Sequence, residues 1–314
     1  MDTLHNDPSD LPVLRDHRRQ WRQCRYVYPV VSRRGRGLSI GINLNPDKRC
    51  NFACMYCQID RKTRREFHHV DLHVVRQELR LAIEAAMSGE LWSEERFAAT
   101  PAGLRRVNDL AFSGDGEPTL VADFDHVVQT AADVRQEFIQ IARQGGPFAA
   151  SVEELEAVKL VLITNASQLE QPHVQRALLT LDANNGEVWA KLDAGSDAYF
   201  QRVNHPYPRI TLEHILRNIV AAARQRPIVI QSLFLRIEGV STPADELEAY
   251  IANLQHILNG GGRIKLVQVH TIARPPSETS ASAIGNEKLD AIAARIRAAV
   301  PAIPVETFYG ATLT

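Results

Sequence analysis

The sequence predicts an α/β protein built around a parallel sheet. Short apolar runs rich in Val, Ile and Leu recur along the chain, as strands buried on both faces require. Each is followed by a longer segment of helical character, an alternation that argues for parallel strand–helix units. Polar loops bearing Cys, Gly, Asn or Pro come directly after strands, the end at which parallel α/β folds place their sites. Six or seven units can be counted, one or two short of an eightfold barrel, so alternation alone leaves an α/β barrel and a doubly wound sheet both open.

Taken in order, residues 1–10 read as a polar tail and residues 12–23 as a charged helix. "RYVYPVVS", rich in β-branched and aromatic residues, reads as extended, and "SRRGRG" as a turn. The strand "GLSIGINL" leads through a cysteine-bearing loop to a helix over 71–88. Strand "NDLAFSG" then precedes a helix over 123–144, "VKLVLITN" one over 169–181, and "EVWAKLD" short helices over 196–202 and 211–224. "PIVIQSLFLRI" precedes a helix over 243–258, "RIKLVQVHTI" one over 286–300, and "IPVETF" closes the series. Residues 91–107 and 145–157, edged by Pro and Gly, read as insertions, and no repeat of 20–50 residues is evident.

Composition narrows the function classes. Hydrophobic residues make up 45% and charged residues 23%, as in a globular protein with a substantial core. No apolar run reaches the roughly 18–20 residues that span a bilayer, and the acidic N-terminus does not read as a secretory signal, so no membrane partner is expected. The net charge is −1, but the first seventy residues carry fourteen Lys and Arg against seven Asp and Glu, a balance suited to an acidic partner. Four cysteines, three of them crowded together, are a poor disulfide framework, which implies a reducing cytoplasm.

Those three, Cys50, Cys54 and Cys57, are spaced C-x3-C-x2-C. Thiolates are soft ligands suited to zinc or iron–sulfur clusters. Structural zinc asks for four closed ligands, and this loop supplies three; Cys24, His68 or His69 would have to be the fourth. A cubane cluster has four irons, each wanting one outside ligand, so three thiolates leave one iron open to chemistry. Cys24 itself reads as a small buried hydrophobe.

With Tyr56 directly before the third cysteine, the pattern C-x3-C-x-aromatic-C resembles the signature of radical S-adenosylmethionine enzymes. The resemblance implies one [4Fe–4S] cluster whose open iron chelates S-adenosylmethionine, and a reductant such as flavodoxin or ferredoxin. It also implies reductive cleavage to a 5′-deoxyadenosyl radical that takes hydrogen from a substrate. "FSGDGEPTL", "TNAS", "WAKLDAGS", "RVNHP" and "RPP" follow in order over roughly residues 38–280. Together they look like the branch related to the wyosine-forming tRNA enzymes (4-demethylwyosine synthase-like iron–sulfur oxidoreductases). That likeness implies an incomplete TIM-type barrel of about six β/α units over residues 38–314, with residues 1–37 as a basic extension, and a tRNA base or nucleotide as substrate. The best-known members build a tricyclic base beside a tRNA anticodon with pyruvate and carry a second cluster, for which this chain has only Cys24 to spare.

The other loops supply the remaining candidates. Gly114, Asp115, Gly116 and Glu117 occupy the place of the family's "GGE"-type loop, with glycines for close backbone approach and a carboxylate for the methionine ammonium. Thr164 and Asn165 are expected to touch the cofactor or to cap the next helix. Lys191 and Asp193 share a strand face; the resemblance gives Lys191 the methionine carboxylate and Asp193 the ribose hydroxyls, and a plain ion pair is the alternative. Arg202, Asn204, His270 and Arg274, on Pro-bounded loops, are candidate substrate contacts. Arg15, Arg18, Arg19, Arg22, Arg25, Arg33, Arg34 and Arg36, with Lys62, Arg64 and Arg65, could track a phosphate backbone or form a solvated face. Besides a nucleotide substrate, two alternatives stand: a peptide or small metabolite as substrate, or a zinc or iron–sulfur protein without turnover.

Overall fold

The apolar runs become strands of one curled sheet. A computed structural model describes residues 13, 16, 18–32, 34–61 and 69–310; the expectations for residues 1–10, for part of the 12–23 helix, and for Arg15, Arg33, Lys62, Arg64, Arg65 and His68 fall outside these. Strand β1 (Val27–Ser32) pairs antiparallel with β2 (Gly37–Ile42). From β2 the sheet runs parallel through β3 (Val107–Phe112), β4 (Lys159–Thr164), β5 (Gly186–Lys191), β6 (Ile228–Leu233), β9 (Ile264–His270) and β11 (Val305–Phe308). The result is an eight-stranded half-barrel, the incomplete barrel the family resemblance implied. A small second sheet of β7 (Leu235–Ile237), β8 (Val240–Ser241) and β10 (Ala281–Ala283) stands apart from it.

Helices α1 (Leu72–Met87), α2 (Phe124–Arg143), α3 (Pro172–Asp182), α4 (Asp197–Asn204), α5 (Leu212–Gln225), α6 (Ala244–Asn259) and α7 (Asn286–Ala299) follow their strands and bury one apolar face each. Their starts carry expected capping chemistry: Asp71 accepts from the amides of His73 and Val74, Ser196 from Tyr199, and Thr211 from His214. α3 begins three residues later than the periodicity suggests, because Pro172 is best placed in the first turn. The continuous run "PIVIQSLFLRI" breaks at Phe234, so its tail becomes β7 in the small sheet. The two expected insertions hold short helical turns, among them Glu95–Ala98 and Val152–Ala157. Among the described residues no helix is long and apolar enough to cross a membrane.

Period-two alternation decides which side chains enter the half-barrel. On β5, Glu187, Trp189 and Lys191 point inward in turn. Trp189 joins Ala111, Val161 and Val229 in an apolar layer. Below that layer Glu187 is buried and meets Lys159 at 2.9 Å, Lys265 at 2.7 Å and the Trp189 indole at 2.9 Å. Burial alone would push its carboxyl up. The hydrogen bonds from Lys265, Lys159 and Trp189 outweigh it and hold the pKa down at about 2. The floor of the half-barrel is therefore a charged clamp joining β4, β5 and β9, and Lys191 lies above it at the mouth.

A folded-state pKa below the ordinary 4.5 gives stability that is present above pH 4.5 and fades as pH falls toward 2. Glu187→Gln is expected to cost about 1–2 kcal/mol at pH 7, a figure discounted for partial solvent screening. The gap to wild type in urea unfolding should close between pH 4.5 and 2; a gap that stays constant across that range would show that Glu187 does not act through its charge.

Candidate active site

The cysteine loop leaves β2 and has little regular structure of its own, so other loops must hold it. Ala53 N donates to His205 O at 3.1 Å, Met55 N to Val203 O at 2.9 Å, and Tyr207 N to Asn51 O at 2.9 Å, tying the loop to the end of α4. The Asn51 amide donates to Ser167 Oγ and accepts from Asn165 Nδ2, both at 2.8 Å, which ties it to the loop after β4. Ser277 N donates to Cys57 O at 2.8 Å from the segment after β9. Phe52 is buried edge-on against Phe200, and Met55 is buried with Val203, Leu233 and Ile272.

The loop after β3 supports the cysteine loop from beneath. Asn43 Oδ1 accepts from Asp115 N at 3.0 Å and Asn43 Nδ2 donates to Asp115 Oδ2 at 2.8 Å. Arg19 pairs with the other Asp115 oxygen. Glycine is needed here: a Cβ on Gly114 would sit 2.3 Å from Asn43 Oδ1, and one on Gly116 only 1.9 Å from the Arg49 carbonyl oxygen. The close approach expected of these glycines is thus an approach to the cysteine loop itself. Glu117 Oε1 accepts from Thr119 N, Thr119 Oγ1 and Thr164 Oγ1, and Oε2 accepts from Asn165 N. Burial pushes the Glu117 carboxyl up, against the pull of these four donors.

Asp193, just past β5, is the hub of the opposite wall. Its side chain is fully enclosed; Oδ2 accepts from Tyr56 Oη and from Asn204 Nδ2 at 3.0 Å, and Oδ1 accepts from Leu233 N at 2.9 Å and faces Lys191 Nζ at 3.6 Å. Lys191 Nζ also sits 4.9 Å from the Tyr56 ring centroid. The sequence alternatives for this pair meet here, since the ion pair exists and Lys191 still faces the cavity.

These walls enclose a cavity of about 330 Å³, within the range of small-molecule sites. Cys50, Cys54, Cys57, Tyr56, Gly114, Gly116, Glu117, Thr164, Asn165, Lys191, Asp193, Asn204, His270 and Arg274 all line it. Asp115 does not line it and works through Arg19 and Asn43. Arg202 stands outside, more than half exposed and 3.5 Å from Glu238. Cys24 is also elsewhere; burial, with the Glu78 charge, pushes its thiol up to about 11. Burial pushes Cys50 up to about 12 and Cys54 to about 11, so the bare thiols stay protonated at neutral pH and must lose a proton to bind metal. Burial, then the charges of Lys191 and Arg34, hold His270 well below the ordinary histidine range and so neutral, with Nδ1 lacking a partner among the described residues.

Sequence reasoning missed several members. Asn43 and Asn51 were not singled out, although both flank or interrupt the cysteine motif. Arg61, four residues beyond Cys57, was not named. Arg19 and Arg34, expected on a phosphate-tracking face, line the cavity, with Arg34 5.9 Å from the Trp189 ring centroid. Among the described residues no three His, Cys, Asp or Glu side chains converge to hold a single metal ion, and His69, the described histidine offered as a fourth zinc ligand, is largely exposed beside Asp123.

Gly116→Ala forces a Cβ into the Arg49 carbonyl, and backbone at this point cannot swing aside as a side chain would. The variant should lose about 1–3 kcal/mol of stability in urea unfolding. It should also expose Cys50, seen as faster alkylation by iodoacetamide in the folded state. Wild-type labelling kinetics in a folded variant would show that the glycine does not position the loop.

No family model matches the chain. It is 28% identical over 250 residues to a UPF0026 protein of Helicobacter pylori, covering 79% of this chain and 66% of that one. It is 27% identical over 198 residues to UPF0026 protein MJ1312 of Methanocaldococcus jannaschii, covering 62% of this chain and 48% of that one. The chain thus spans two thirds or less of the length of these relatives. Among solved structures, a radical SAM methyltransferase from Sphaerobacter thermophilus superposes with a TM-score of 0.57 at 12% identity, covering 90% of this chain and 69% of that one. SuiB of Streptococcus suis bound to S-adenosylmethionine gives 0.53 at 11%, covering 84% and 49%. At such identities the likeness is one of fold: this chain shares the α/β half-barrel of those two proteins.

Proposed function

We propose that the chain is a radical S-adenosylmethionine enzyme. The observation that carries this is the placement of three thiols spaced C-x3-C-x2-C at the mouth of a half-barrel, in one cavity with the loops after β3, β4 and β5. The donor set fits a [4Fe–4S] cluster: each thiolate bonds its own iron, so the three sulfurs need not converge on one point as a single zinc would require. When bound, the cluster supplies the electron that splits the sulfonium bond of S-adenosylmethionine and so releases a hydrogen-abstracting 5′-deoxyadenosyl radical.

The chain's own residues bind and orient. Cys50, Cys54 and Cys57 would hold the cluster through three of its irons, which would leave the fourth for the amino acid headgroup. Glu117 Oε2 has one protein donor and keeps capacity for an ammonium, while Lys191, 3.6 Å from Asp193, keeps donor capacity for a carboxylate. Asn165 bridges Glu117 to Asn51, so the headgroup wall and the cysteine loop move as one. Asp193 fixes Tyr56 and Asn204 against the thiols. His270 and Arg274 lie across the cavity as substrate contacts, and Arg202 lies outside it.

For the substrate, the motif order and the basic first seventy residues support a tRNA base or nucleotide. A peptide or small metabolite is the second reading, favoured by the pairing of the N-terminal arginines with acids: Arg18 with Asp16, Arg22 with Glu90 and Glu94, and Arg36 with Glu306. SuiB, of the same fold, is a protein bound to a precursor peptide.

Anaerobic reconstitution should load about four irons and four sulfides per chain. With dithionite, the loaded protein should convert S-adenosylmethionine to 5′-deoxyadenosine. Cys50→Ala, Cys54→Ala and Cys57→Ala should each lose the brown absorbance, and Cys24→Ala should keep it. A single bound zinc without sulfide would overturn the proposal. tRNA affinity that drops steeply between 50 and 200 mM salt supports the nucleotide substrate, and salt-independent retention rules it out.

A further inference from the structure

Resting on that reading, we propose that Arg61 sets the reduction potential of the cluster carried by Cys50, Cys54 and Cys57, making it easier to reduce. Arg61 Nη2 lies 3.4 Å from Cys57 Sγ, a hydrogen-bond distance for sulfur. Its Nη1 donates to Lys48 O at 2.6 Å and to Asp115 O at 2.5 Å. Two backbone carbonyls on separate loops thus hold the guanidinium in place against the sulfur, and its charge is also felt at Cys50.

The other donors that reach the thiols among the described residues are neutral. Phe52 N lies 3.4 Å from Cys50 Sγ, Ile59 N 3.5 Å from Cys57 Sγ, and Asn204 Nδ2 3.5 Å from Cys54 Sγ. Arg61 is the charged member of the set. It also differs from Arg19 and Lys191 in the same cavity. Arg19 is paired with Asp115 and Lys191 with Asp193, whereas the hydrogen-bond partners of Arg61 are carbonyls and a sulfur. Its charge is therefore not neutralised by a carboxylate among the described residues.

Reduction adds one negative charge to the cluster and its thiolates. A fixed cation a few ångströms away lowers the energy of the reduced state more than that of the oxidised one. Hydrogen bonds and charge at the ligand sulfurs are established controls of cluster potential. One electron passes from an external low-potential donor to the cluster, the donor is oxidised, no bond is made or broken, and Arg61 keeps its proton throughout. Arg61 is thus a positioning and tuning residue.

The test is an anaerobic redox titration of the reconstituted protein with dithionite, followed by electron paramagnetic resonance, on wild type, Arg61→Gln and Arg61→Lys with iron and sulfide counted. Arg61→Gln keeps an amide donor and loses the charge. Its reduction equilibrium should fall about tenfold, which is 59 mV for one electron. Arg61→Lys, whose ammonium keeps the charge but cannot span both carbonyls and the sulfur, should fall between the two. An unchanged potential in fully loaded Arg61→Gln overturns the proposal. If Arg61→Gln cannot be loaded, a potential in Arg61→Lys at or above wild type overturns it, and so does failure of both variants to load, which would leave a purely structural clamp. A wild type that takes up no cluster sinks the radical-enzyme reading as well. A loaded wild type with unshifted variants sinks only the role of Arg61.

Discussion

Everything at the mouth of this half-barrel depends on one backbone contact, the seating of Gly116 beneath the Arg49 carbonyl. A loop that must present three sulfurs with fixed spacing cannot rely on its own secondary structure, because it has almost none. Its first support comes from below, where the turn after β3 meets it without intervening side chains. From that seat Glu117 N donates to Arg49 O at 3.1 Å, and the Glu117 carboxylate then reaches the end of β4. Two parallel strands are thereby locked to the thiol loop within a few residues of their C-terminal ends. This suits catalysis, which gains from donors held in place before the ligand arrives.

The carboxylates of the cavity reinforce the same point. Buried charges are costly unless they are filled with hydrogen bonds. Glu117 is met by four donors of the protein itself and Asp193 by three together with the Lys191 charge, one network joining β3 to β4, the other joining β5 and β6 to the cysteine loop and α4. Losing a partner would leave an uncompensated charge, so each network resists partial opening. Asp193 in particular aims Tyr56 and Asn204 at the thiols.

The fold was largely legible because its signals are local. Apolar runs such as "VKLVLITN" and capping residues such as Asp71 and Thr211 act within a few positions, and both sheet and helices follow them. The small sheet of β7, β8 and β10 was not legible, since a continuous apolar run gives no sign of where a strand changes partners. At the site, the cysteines, the glycine pair and Lys191 stood out because spacing and composition are rare there. Asn43, Asn51 and Arg61 did not. Their work is done against residues distant in sequence, such as Asp115 and Ser167, and an Asn or Arg in a loop is common. The partners of the N-terminal arginines were not legible for the same reason: sequence shows the cations, and only the fold brings Glu90, Glu94 and Asp115 to meet Arg22 and Arg19.

What the cavity leaves unfilled says where a ligand must supply chemistry of its own. Buried polar atoms in native proteins nearly always find partners, and an orphan costs on the order of 1–3 kcal/mol. Among the described residues Asn204 Oδ1 and His270 Nδ1 have none, and both residues line this cavity. They come from different elements, Asn204 at the end of α4 beside Cys54 and Tyr56, His270 at the end of β9. Asp193 is met on both oxygens and Glu117 keeps room only on Oε2, while these two neutral atoms have no partner among the described residues. A ligand that donates to Asn204 Oδ1 and hydrogen-bonds His270 Nδ1 would satisfy them. The open polar capacity of the site therefore includes an amide and an imidazole, which select by shape and hydrogen bonding, beside the spare capacity of Glu117 and the Arg61 guanidinium 3.4 Å from Cys57 Sγ.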